Sequence, residues 1–160
     1  MHRIVFSTAA ALAVMLGTTG AAFAWERGPG ASDQNLRYSR AYVEKAVDML
    51  SHDQEDYGGH RVAAMNDVNA ARADLTAALR YDQNREDAAL PAVGSLDVAS
   101  SDWERNQHHS NANIIYTRRY VERAIDMLGR DRHDYDGYRV KAIGELRAAR
   151  QQLLEAIRYR

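Results

Sequence analysis

Apolar residues recur along this chain at the three- and four-residue spacing of an α-helix. Leu36, Val43, Val47 and Leu50 mark one stripe, and Val62, Met65, Val68, Leu75 and Leu79 a second. A third runs through Ile114, Val121, Ile125 and Leu128, and a fourth through Val140, Ile143, Leu146, Leu153 and Ile157. Each pair flanks a polar turn ending in glycine, Asp53 to Gly59 and Asp131 to Gly137. Glycine there ends one helix or supplies the backbone angles of a tight connection. The pattern predicts an all-α chain with helices over 36–54, 59–81, 113–132 and 137–159.

The two hairpins read as two copies of one unit. Trp25-Glu26-Arg27 recurs 78 residues on as Trp103-Glu104-Arg105. Without a gap, the same offset carries Tyr42-Val43-Glu44 onto Tyr120-Val121-Glu122, and Asp56-Tyr57 onto Asp134-Tyr135. It also carries Ala70-Ala71-Arg72 onto Ala148-Ala149-Arg150. The units are 25–82 and 103–160, separated by a spacer, 83–102. A lone hairpin of this size buries too little apolar surface to be stable. Two copies pressing their apolar faces together predict a four-helix bundle. The spacer, with Pro91 and Gly94, reads as a flexible crossover. A bundle closed within one chain is expected, so a monomer, with a domain-swapped dimer as the competing form.

Residues 1–24 stand apart from the repeat. His2 and Arg3 precede an apolar run from Ile4 to Leu16, and Ala22-Phe23-Ala24 is a small-x-small cleavage site. That is the pattern of a secretory signal peptide cleaved between Ala24 and Trp25. The run is well short of the roughly 20 residues that span a bilayer, so no membrane span is expected. Location is read as periplasmic or secreted. The chain has no cysteine, which excludes disulfides, thiolate catalysis and thiolate metal sites. Its net charge is −1. By counting, unit one carries about −3, the spacer about −3 and unit two about +4. The opposite signs favour pairing of the hairpins, and the missing basic excess argues against nucleic acid as partner.

Two arginines per unit fall within the apolar stripe of the second helix: Arg61 and Arg72, then Arg139 and Arg150. A buried guanidinium needs a carboxylate. In a hairpin turning near Tyr57, Arg72 lies level with Glu44, and Arg61 with Asp53 or Asp56. The second unit offers Arg150 with Glu122, and Arg139 with Asp131 or Asp134. A repeated lattice of structural ion pairs is therefore expected, extended by Arg40 and Arg118 one turn before Glu44 and Glu122. Tyr38 and Tyr81 are expected to meet at the open end of the hairpin, with Trp25 and Trp103 covering that end.

His52, Asp53, Asp56 and His60 gather around the first turn and offer imidazole and carboxylate ligands to a divalent metal. The second unit has Arg130, Asp131, Asp134 and Tyr138 instead, so the histidines are not duplicated. The spacing of a di-iron bundle and the order of an EF-hand are both absent, and no cofactor is expected. No nucleophile elbow, phosphate loop, zinc-protease pair or dinucleotide fingerprint occurs, so no enzyme is expected.

Asp56-Tyr57-Gly58-Gly59-His60-Arg61-Val62-Ala63-Ala64-Met65, followed by an Ala-rich helix, resembles the turn-and-helix block of small exported bacterial helical-hairpin proteins of unknown function. The resemblance covers most of each unit, although the second has Asp136-Gly137-Tyr138-Arg139 in place of Gly-Gly-His-Arg. It implies a fold and an exported location, and no activity. The expected function is a non-enzymatic helical-bundle binding or interaction module for a protein or small ligand. The alternative is a small periplasmic metal-handling protein using the first turn.

Overall fold

The computed structural model describes residues 29–81 and 110–159. The signal segment, both tryptophans and the spacer lie outside the described residues. The described residues form four helices: α1, Pro29–His52; α2, His60–Tyr81; α3, Ser110–Arg130; and α4, Tyr138–Arg158. They form a four-helix bundle built from two antiparallel hairpins, as the hydrophobic period predicts. α1 begins seven residues before the first apolar marker. Proline is tolerated in a first helical turn, and the polar stretch from Ser32 to Asn35 carries no apolar signal. Among the described residues, no helix is long and apolar enough to cross a membrane.

The hairpins lie head to tail. On one side of the bundle Tyr42 of α1 meets Tyr120 of α3, with ring centroids 6.4 Å apart. The Ser39 hydroxyl lies 3.3 Å from the Ala124 carbonyl, so α1 and α3 run antiparallel. On the opposite side His60, at the start of α2, meets Gln152 near the end of α4 at 2.9 Å. Tyr42 and Tyr120 hold equivalent positions in the two units, so a local twofold axis passes between them. Around the bundle the order is α1, α2, α4, α3, with α1 facing α4 and α2 facing α3 across the diagonals. Tyr81 and Ser110 therefore stand at opposite ends of the bundle.

One continuous core runs through all four helices, including Leu36, Val43 and Leu50 of α1 and Ile114, Val121 and Leu128 of α3. In α2 the buried line is Ala64, Val68, Ala71, Leu75 and Ala78, and in α4 it is Ala142, Leu146, Ala149, Leu153 and Ala156. Alanine alternates with a larger residue at heptad spacing, which lets the two backbones approach closely. α2 against α4 is accordingly the most extensive helix pair. This line corrects the stripe read from hydropathy: Val62 and Val140 are 48% and 57% exposed. Alanine is only weakly apolar, so the inner edge of the stripe carries little hydropathy and the apparent centre falls too near Val62.

The head-to-tail arrangement corrects a second expectation. The open ends of the two hairpins lie at opposite ends of the bundle. Tyr159, the equivalent of Tyr81, packs over the first turn at Gly58, where an added Cβ would come within 2.6 Å of the ring. The ion pairs between described residues fall within one hairpin or the other, while the alanine–leucine core, the Ser39–Ala124 contact and the His60–Gln152 bond cross between them.

Candidate functional site

Both turns are built alike from the residues upward. Asp53 and Asp131 are buried, with 3% and 4% of their surface exposed. The Glu55 backbone N–H donates to Asp53 Oδ1 at 3.2 Å, and the His133 N–H to Asp131 Oδ1 at 3.0 Å. The hydroxyls of Tyr57 and Tyr135 donate to the other carboxylate oxygens at 3.5 and 3.0 Å. Both tyrosines sit in the left-handed region at φ 51°, which costs a non-glycine residue about 1–2 kcal/mol. Burial of the ring and the bond to the aspartate hold them there. Gly58 and Gly59, at φ 66° and 92°, continue the left-handed path, and Asp136 and Gly137 do so at 56° and 84°.

The arginines after each turn do not pair as the sequence suggests. Arg61 Nη1 donates to the Leu50 carbonyl at 3.1 Å, and Arg139 Nη1 to the Leu128 carbonyl at 3.0 Å. Each guanidinium thus caps a carbonyl in the last turn of the preceding helix, where the helix dipole also favours a cation, and Leu128 O takes the Asp131 N–H as well. Asp53 and Asp131 are turned inward to their own tyrosines, and Asp56 and Asp134 are exposed. The Asp56 carbonyl takes the N–H groups of Gly59 and Arg61, closing the turn. The expected pairs of Arg61 with Asp53 or Asp56, and of Arg139 with Asp131 or Asp134, are replaced by these caps.

Midway along the hairpins the charges do meet. Glu44 is held by Arg40, and Arg72 Nη1 lies 3.6 Å from Glu44 Oε2. Arg40 Nε donates to the Thr76 hydroxyl at 3.2 Å. Burial, and next the positive charge of Arg72, push the Arg40 guanidinium below its ordinary range. In the second hairpin Arg118 Nη1 binds Glu122 at 2.7 Å, and Arg150 is exposed. Among the described residues no ion pair joins Arg150 to Glu122, a correction to the expected symmetry. Arg72 itself is 41% exposed, at the margin of the stripe with its head in water. Leu154 stands where the first hairpin has Thr76, and Arg118 Nε is buried without a hydrogen-bond acceptor.

The four candidate metal ligands diverge. His52 Nδ1–H turns back to the Asp48 carbonyl at 2.8 Å on the exposed end of α1. Asp53 points inward, Asp56 outward, and His60 crosses to Gln152 of the other hairpin. Among the described residues, no three His, Cys, Asp or Glu side chains gather at metal-holding spacing.

What the sequence did not show is a seam of tyrosines between α1 and α3. Tyr42 and Tyr120 meet at the twofold axis, and Tyr38 and Tyr116 lie one turn before each on the same edge. Tyr38 thus lies beside Tyr42 on this seam, and no ring contact joins it to Tyr81 among the described residues. Burial raises the Tyr42 phenol, Arg123 draws it back and Tyr38 raises it further. Tyr120 is raised by burial, then by Tyr42, Asp48 and Tyr116. Arg119 lies 5.8 Å over the Tyr116 ring. Lys45 occupies on α1 the position that Arg123 occupies on α3, and all three cations are exposed. The signal was present as duplicated tyrosines at one helix edge. Only the head-to-tail pairing shows that those edges coincide.

No family model, curated protein or solved structure matches this chain. The class its structure defines is an all-α four-helix bundle of paired hairpins.

Proposed function

We propose that the protein is a non-enzymatic interaction module, exported to the periplasm or beyond the cell, which binds a partner through its α1/α3 face. The tyrosine seam at the twofold axis carries this reading. Four tyrosines are aligned there beside Lys45, Arg119 and Arg123, three exposed cations without a carboxylate partner among the described residues. Aromatic rings with an arginine rim are the composition that interfaces concentrate. Three neighbouring carboxylates already have arginine partners, Glu44 with Arg40, Glu122 with Arg118 and Asp126 with Arg130, and Asp48 lies 3.4 Å from His52, which pairs with it only when protonated. They serve better as structural pairs than as catalytic acids.

A photoreactive amino acid placed at Lys45 or Arg119 in exporting cells tests the reading. A discrete cross-linked species is expected from both positions and none from Ala148, an exposed residue of α4. The same adducts from all three positions, or none from any, would sink it. Sequencing the exported protein from its N-terminus is expected to begin at Trp25; a start at Met1 would remove the export half of the proposal.

A further inference from the structure

We propose that the α1/α3 seam takes an extended, Asp/Glu-rich segment of a partner polypeptide, an inference that rests on the interaction-module reading. Charge selects the sign of the partner. Lys45, Arg119 and Arg123 are exposed cations of this face that make no ion pair among the described residues, and they outnumber Asp48, a carboxylate that acts on Tyr120 and pairs with His52 only when that ring is protonated. Arg119 lies 5.8 Å over the Tyr116 ring, and the charge of Arg123 acts on the Tyr42 phenol across the seam.

Spacing selects the form. Arg119 and Arg123 are one helical turn apart, about 6 Å along the axis. Alternate side chains of an extended chain are about 6.6 Å apart on one face. Carboxylates two residues apart on an extended segment therefore fall in register with the two guanidinium groups. Antiparallel packing puts Lys45 of α1 level with Thr117 of α3, just before Arg119, so cations border the seam on both helices. Beside them the half-buried rings of Tyr116 and Tyr120 offer aromatic surface for side-chain stems.

Other anions fit less well. A lipid surface would need apolar side chains projecting from the same face, and the exposed valines, Val62 and Val140, are on α2 and α4. A nucleic acid would ask for a longer basic track than three residues.

Fluorescence anisotropy with the full mature chain tests this, using a labelled peptide of about a dozen residues alternating Glu and Ser. Binding is expected, with the matching Gln-Ser peptide at least about tenfold weaker and with affinity falling toward about 0.3 M salt. The double variant R119E/R123E should lose binding about tenfold or more, and R147E/R150E, on the outer face of α4, should not. Equal loss in both variants would reduce the effect to overall charge and overturn the proposal. Tighter binding of phosphatidylglycerol vesicles or of an oligonucleotide than of the peptide would overturn it too. So would peptide binding that appears only when 83–102 is replaced by a neutral Gly-Ser spacer, because the chain's own acidic segment would then be the occupant. Cross-linking at Lys45 with no peptide binding would remove the acidic segment and leave the interaction module standing.

Discussion

At the scale of single residues, the differences between the two hairpins tell more than the likenesses. Thr76 gives Arg40 Nε an acceptor, whereas Leu154 leaves Arg118 Nε without one. Thr76→Val keeps the shape and removes the acceptor, so it should cost about 1–2 kcal/mol in urea unfolding. In an Arg40→Met background the same change should cost far less; an unchanged cost would mean that the hydroxyl does not serve the guanidinium. Gly58 offers a second contrast. Its φ of 66° and the Tyr159 ring within reach of a Cβ make Gly58→Ala unfavourable twice over. A loss of about 1–2 kcal/mol is expected, part of it restored in Tyr159→Ala, where only the backbone strain remains. Full cost in both backgrounds would deny the ring any part.

At the scale of elements, the sequence disclosed the helices, their hairpin pairing and the turns, because each is a local pattern of period or punctuation. It misplaced the buried line of α2 and α4, since hydropathy counts Val62 and Met65 heavily and passes over Ala64, Ala71 and Ala78. It also assigned Arg61 and Arg139 to carboxylates, because helix-end carbonyls are invisible in a list of side chains. Arg72 and Glu44 could be set level from the hairpin turn alone, whereas the tyrosine seam depends on how one hairpin meets the other, which no local pattern encodes. A pair of substitutions separates the two views of α2. Ala71→Leu should overfill the α2/α4 interface and cost about 1–3 kcal/mol, while Val62→Ser should stay within about 0.5 kcal/mol. The reverse order in thermal or urea unfolding would restore the hydropathy stripe.

At the scale of the molecule, the seam links stability to alkaline pH. Tyr42 and Tyr120 hold their protons above the ordinary tyrosine range of about 10. Above that range the unfolded chain releases those protons first, so it binds fewer protons than the native state and stability falls as pH rises. The contribution is complete below about pH 10 and is lost as pH climbs through the raised values. Tyr42→Phe/Tyr120→Phe should therefore unfold at higher pH than the unsubstituted protein once their neutral-pH stabilities are matched with urea. Coincident alkaline transitions would exclude the seam as the cause.

The head-to-tail arrangement also decides how the molecule would carry a load. α1 begins at one end of the bundle and α4 finishes at the other, roughly 30 Å away for helices of this length. Tension applied at these two points runs along the helix axes and slides one hairpin past the other, so the interlocked alanines and leucines resist together and not one after another. Tethered in that way the bundle is a strut under shear. Pulled from Pro29 and Tyr81, at the same end of one hairpin, it would be unzipped.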